Sequence, residues 1–451
     1  MLSMKVKAIY FVFFLLCILS CLLLYEHEND KVIKDTFIAS NNETEIKISD
    51  LEKYHRVDEK KTSDMETNSQ TKGEMIRVLL TNPDNGSIYH ESKEGVIAYN
   101  DYSGKIEVTE TPCGYVVINE LPLEEYLYSV VPSEMPASYP MEALKAQAIC
   151  ARTYAYLHIM NPGYPEWNAH VDDTTAFQVY HKVSGQEQTT KAVDETKGLI
   201  LMEPDGGLPA QTYYYSTSCG LGSDAHVWKS KYADAYSYLV PKHINPKGNY
   251  EGIVLDEALL EQYFKEGNKE DYEFGESWYR WQYVLEEFNK DDFYDTLKKR
   301  YAANEKFVLT LKKREYISSP IKDTGDILGM EIVKRGAGGI AEELVVRTKK
   351  ADYKIVTELN IRYILNNGKN CIIRQDGYEV TDMKLLPSAF IYLKPFCKKG
   401  ILAGYHIWGG GYGHGAGMSQ NAAKAMAQEG MKAEDILLFF YQNCFLQKIE
   451  E

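Results

Sequence analysis

A chain of 451 residues, 44% hydrophobic and 12% aromatic, can bury a large core and fold as two or three units. Its formal net charge of -15 excludes nucleic acid as a ligand of the folded body, since a phosphate backbone requires a basic face. Eight cysteines without a CxxC pair or a Cys/His ladder give no structural zinc site and no cofactor signature.

Two lysines, Lys5 and Lys7, precede the uninterrupted apolar run Ala8–Tyr25. Eighteen helical residues span about 27 Å, close to the thickness of a bilayer core. No small-residue cleavage site follows, so residues 1–25 are expected to be an uncleaved single-pass membrane anchor with the rest of the chain on the extracytoplasmic side. Residues 26–73 are polar and charged and predict a tether. Folded sequence begins at "MIRVLL" and runs from 74 to 446 in short strands and helices without a βαβ rhythm, which predicts an α+β fold. "CGYVVINELPLEEYLYSVV" reads as a strand followed by a short helix. The strongest helix follows Pro140, with Met141, Leu144, Ala148, Ala151 and Ala155 as its core stripe. From about 234 to 314 the chain turns aromatic and charged, and "ESWYRWQYVLEEFNKDDFYDTLKKRY" reads as largely helical. Strand alternation resumes in "MEIVKRG", "EELVVRT" and "YKIVTELNIRYIL". "EDILLFFYQN" predicts a last helix.

Three stretches could carry chemistry. In "VVPSEMPASYP", Glu134 stands between Pro132 and Pro136, which should hold Ser133 and Met135 out of the helical conformation. A carboxyl pinned among Val130, Val131, Met135 and Tyr139 would be poorly solvated, its pKa raised toward neutrality as a general acid requires. The competing reading is an acid at a helix start, bound to backbone amides. In "WGGGYGHGAGMSQNAAKAMAQEG", glycines at 409, 411, 413, 415 and 417 let backbone pass close to a ligand or fold into positive-φ turns. The stretch lacks the phosphate-loop pattern, and His414 could be a donor, a base or a buried turn residue. Ser419 is expected to cap the following helix. In "QTYYYSTSCGLG", the hydroxyls of Ser216, Thr217 and Ser218 could contact substrate, or Cys219 could act as a nucleophile with His414 or His170 as its base.

Together these stretches resemble the SpoIID/LytB family. "LPLEEYLYSVVPSEMPASYPMEALKAQAICARTYAY" follows that family's longest motif almost throughout, "STSCG" resembles its STSGG turn, and "GYGHGAGMSQNAAKAMAQEG" its glycine-rich motif. The similarity runs from about Glu74 to Gln442. It implies lytic transglycosylation: cleavage of peptidoglycan glycan strands without water, leaving 1,6-anhydro-muramic acid ends. Glycan stripped of stem peptides is the implied substrate, and forespore engulfment during sporulation the implied setting. Glu134 is the implied catalytic residue. Lys145, Gln147, Arg152, Ser216, Ser218, His414, Ser419 and Gln420 hold motif positions that the resemblance assigns to sugar contact or to ordering the site. Positions that carry Cys and His-Cys in other members are Asp172, Ala176 and Phe177 here, so no metal is expected. Asn421 replaces a tyrosine and Cys219 a glycine. The resemblance also carries a rival role, since some relatives are enhancers of a cell-wall amidase. A partner amidase or other wall hydrolase is the corresponding expectation.

Overall fold

The computed structural model describes residues 74–449 apart from 84, 93–101, 181–184, 230–232, 249–256, 287–288, 323–324 and 367. Strands β1 (Met75–Leu80), β2 (Lys105–Thr111) and β3 (Gly114–Pro122) lead into helices α1 (Leu123–Glu134) and α2 (Met141–Met160). After the short strand β4 (Val171–Asp172) come α3 (Glu187–Glu195), β5 (Leu199–Met202) and β6 (Tyr214–Tyr215). The first sheet has the order β2-β3-β1-β4, antiparallel except for the parallel β1–β4 pair.

Helix α2 is the hub. Ala148, Ala151 and Ala155 face a core shared with α1 and β1, and Ala143, Leu144, Ala146, Ile149 and Cys150 face a second core. The expected single stripe is therefore half the story, because alanine lets neighbours approach on both sides. Arg152 is fully buried between these cores. Its Nε and Nη2 grip both Glu124 oxygens at 2.8 Å, and its other donors reach the carbonyls of Val193 and Leu199. That clamp ties α1, α2, α3 and β5 together and uses the guanidinium inside the protein, so of the two expected roles Arg152 orders the helices around the site and makes no sugar contact. Arg152→Ala should cost about 3 kcal/mol of stability, because it strands the Glu124 carboxylate; urea denaturation measures it.

The remainder of the chain begins with α4 (Glu257–Glu266), β7 (Trp281–Glu286) and α5 (Lys290–Ala303). Strands β8 (Val308–Lys312), β9 (Glu315–Ser318), β10 (Ile327–Arg335), β11 (Ala341–Thr348) and β12 (Asp352–Val356) form an antiparallel sheet of order β10-β11-β12-β8-β9. After α6 (Glu358–Leu365), strands β13 (Ile372–Arg374), β14 (Glu379–Val380), β15 (Ile391–Lys398) and β16 (Ile401–Gly409) join β7 in a second antiparallel sheet, β14-β13-β7-β16-β15. The chain ends with β17 (Met418–Ser419), α7 (Gln420–Gln428), α8 (Ala433–Phe440) and β18 (Phe445–Lys448). Helices α7 and α8 complete the second core of α2, and β17 pairs with β6 in parallel.

The architecture is α+β. Two local expectations are corrected. Residues 281–286 form a strand, with Trp281, Tyr283 and Leu285 buried and Gln282 exposed. "YKIVTELNIRYIL" divides at Thr357, whose φ of 76° ends β12 and starts α6. Neither the membrane helix expected over Ala8–Tyr25 nor the single-pass membrane placement is seen: no helix among the described residues is long and apolar enough to cross a membrane. The apolar run and the 26–73 tether lie outside the described residues.

Candidate active site

Glu134 is the last residue of α1. Pro132 lies inside that helix, so Ser133 stays helical, contrary to expectation. Pro132 supplies no N–H to the last turn, and Ser133 Oγ instead donates to the Ser129 carbonyl at 2.7 Å. Pro136 does what proline does to the residue before it: Met135 is extended at φ -136°, ψ 129°, and the helix stops. Glu134 thus sits at a helix C-terminus, where the dipole disfavours an anion, and the helix-start reading is corrected.

Glu134 is half-buried, with its carboxyl turned inward to the Val179 N–H, while the adjoining Pro136 and Ser138 are exposed. Burial pushes its pKa up to about 7, opposed by the Val179 N–H, which donates to Oε1 at 2.8 Å, and by the Tyr214 hydroxyl. Gln420 Nε2 donates to the Glu134 carbonyl at 3.0 Å and to Gln147 Oε1 at 3.3 Å. Because Gln420 spends its Nε2 on a carbonyl, Gln147 must present its oxygen to it. The Gln147 Nε2 is buried and has no hydrogen-bond partner among the described residues. Glu134 and Gln147, from the longest motif, and Gln420, from the glycine-rich motif, are therefore brought together.

Other candidates lie a step away. His414 Nδ1 accepts the Ala416 N–H at 3.2 Å, so Nε2 carries the proton and donates to the Tyr214 carbonyl at 3.1 Å. Burial pushes the His414 pKa down to about 4, and rings of Tyr213, Tyr215 and Trp228 surround it. A neutral histidine with both nitrogens engaged is a turn-fixing donor rather than a base. The glycine beside β17 is forced by the same packing: a Cβ on Gly417, at φ 79°, would sit 1.9 Å from the Tyr213 carbonyl oxygen.

Ser218 and Ser419 both bind Glu273, a fully buried residue in the poorly matched 234–314 segment. Glu273 Oε1 accepts the Ser218 N–H at 2.9 Å and the Ser419 hydroxyl at 2.7 Å, and Oε2 pairs with Ser218 Oγ. Ser419 therefore heads α7 without capping it through its side chain. Ser216 Oγ lies 3.1 Å from Thr217 Oγ1. Lys145 pairs with Glu195 at 2.6 Å and with Glu142 at 3.3 Å. Asn421, in place of the expected tyrosine, bonds Tyr139 and Thr217. Cys219 is fully buried and burial pushes its thiol up to about 12, which removes it as a nucleophile. The described cysteines are free thiols. Asp172, one of the positions at which no metal is expected, is engaged by Tyr164 and Thr174.

Tyr214 and Glu273 were missed in the sequence. The signal for Tyr214 was the tyrosine triplet of "TYYYS", which along a strand must send its middle ring opposite to the outer two. Glu273 gave no local signal.

Residues 113–202 match the sequence model of the SpoIID family, described as Stage II sporulation protein. The chain is 30% identical over 325 residues to the amidase enhancer of Bacillus subtilis strain 168, covering 71% of this chain and 40% of that protein. It is 37% and 38% identical over 125 residues to the stage II sporulation protein D of Bacillus amyloliquefaciens and of Bacillus subtilis, covering 25% of this chain and 36% of each relative. The chain thus spans well under two thirds of the curated relatives it matches. The matched region holds Glu134, Gln147 and Val179, and it is a SpoIID-family region within the chain.

Proposed function

We propose that this protein cleaves peptidoglycan glycan strands as a lytic transglycosylase, with Glu134 as its acid, in wall remodelling during sporulation. The observation that carries the reading is the inward-turned Glu134 carboxyl, held near neutral pKa by burial and not by a second carboxylate. Glycosidases that use water keep a pair of carboxylates for the purpose. A single one suffices when the nucleophile belongs to the sugar. Glu134 gives its proton to the glycosidic oxygen as the C1–O bond breaks. The C6 hydroxyl of the same muramic acid closes on C1, and its proton passes to the Glu134 carboxylate, which restores the acid. No cofactor is needed for these steps.

Incubating the purified chain with glycan stripped of stem peptides should release fragments with 1,6-anhydro ends, read by mass spectrometry. Intact glycan would refute the proposal. The extended similarity to an amidase enhancer favours a second reading, in which the chain activates a cell-wall amidase. In that case the glycan stays whole while a partner amidase turns over faster when the chain is added.

A further inference from the structure

We infer that Tyr214 is a positioning residue for Glu134, its hydroxyl proton aimed at the carboxyl by a buried amide–phenol chain whose direction the Ala151 carbonyl fixes. The chain starts at a group that can only accept. Gln178 Nε2 donates to the Ala151 carbonyl at 3.2 Å, which identifies the amide's nitrogen end and leaves Oε1 as its acceptor. Tyr126 donates its hydroxyl to that Oε1 at 3.3 Å. The second N–H of Gln178 reaches the Tyr214 oxygen at 3.2 Å. Tyr214 is thereby an acceptor from Gln178, and its own O–H must find an acceptor elsewhere. The group it bonds is the Glu134 carboxyl. The reverse arrangement, with Glu134 donating to Tyr214, would leave a buried phenol proton unspent, at the cost of a lost hydrogen bond.

Nothing in this chain is loose. Gln178 and Tyr126 are fully buried. The backbone of Tyr214 is fixed from the other side by the His414 Nε2–H and by the β6–β17 pairing at Met418. The Val179 N–H occupies Oε1 of Glu134. With both inward approaches to the carboxyl filled by donors, the proton that Glu134 carries lies on a lone pair turned away from them. Tyr214 therefore does two things: it fixes the orientation of the carboxyl, and it stabilises the ionised form left after proton transfer.

This deepens the lytic reading and rests on it for its kinetic arm, but the direct test does not. In the full chain with carboxyl-labelled glutamate, carbon NMR follows the Glu134 titration, assigned by Glu134→Gln. Tyr214→Phe should move that titration up by about one pH unit, since a donor to the charged form is lost. Replacing Tyr214 by 3-fluorotyrosine, a stronger acid that keeps the hydroxyl and the fold, should move it down. Tyr126→Phe, which removes an equally buried hydroxyl two links away, should leave it within a few tenths of a unit. The falling alkaline limb of glycan cleavage should shift in step with the NMR value. A Glu134 titration unmoved by both changes at position 214 overturns the inference. Titrations that move as expected in a protein inert toward glycan would sink the lytic reading and leave the role of Tyr214 standing.

Discussion

Glu134→Gln is expected to lower glycan cleavage by about 10²–10⁴-fold, the usual contribution of a general acid, while leaving the fold and glycan binding intact. The amide keeps the shape, and its oxygen still accepts the Val179 N–H, but it has no acidic proton to give. Circular dichroism and a glycan pull-down would establish the retained fold and binding. In the parent protein, activity should be full below about pH 7 and fall above it, because the resting enzyme needs Glu134 protonated and its pKa is raised to about 7. A variant releasing anhydro products at the parental rate would remove Glu134 from the chemistry.

The second large effect is expected at Glu273. This carboxyl is fully buried, and its pKa is pushed up to about 8 by burial, against the pull of the Ser218 and Ser419 bonds. The unfolded chain releases the proton near the ordinary glutamate value, whereas the native protein keeps it until about pH 8. Between those points the unfolded state binds fewer protons, so the stabilisation is complete at low pH and drains away as pH rises. The loss over that window is on the order of several kcal/mol. Glu273→Gln copies the protonated acid: its amide nitrogen can donate to Ser218 Oγ while its oxygen accepts the Ser218 N–H and the Ser419 hydroxyl. Urea denaturation at pH 5, 7 and 9 should show the parent losing stability steeply and the variant much less, so that the variant is more stable by roughly 2–4 kcal/mol at pH 9. The residual slope belongs to the other carboxyls whose pKa is raised in the same direction, Glu134 and Asp173 foremost. A parent and variant with parallel pH curves would mean that Glu273 is ionised throughout. Glu273→Ala, in contrast, should leave the Ser218 N–H without a partner and loosen the two turns that carry Ser218 and Ser419.

Glu134, Gln147 and Gln420 could be found in the sequence because each lies in a contiguous motif. What could not be read was the partner of each side chain. Tyr214 meets Glu134 across 80 positions of sequence, and Glu273 joins Ser218 to Ser419 from a stretch with no motif at all. Arg152 and Lys145 sit on the same helix as Gln147, and a charged residue on a helix gives no local sign of whether it faces solvent, a sugar or a buried carboxylate. The two prolines around Glu134 were visible, but their effects differ: Pro136 ends the helix, whereas Pro132 is accommodated in its last turn. Residues 281–286 were misread because neighbouring charges suggested an exposed helix. The burial of Trp281, Tyr283 and Leu285 with period two is the strand signal that counts.

The most direct test of the account is a digest of denuded glycan in ¹⁸O-labelled water, analysed by mass spectrometry. A lone acid that hands the attack to the sugar's own C6 hydroxyl predicts unlabelled anhydro ends. Reducing ends that carry the label would show that water is the nucleophile and contradict the mechanism.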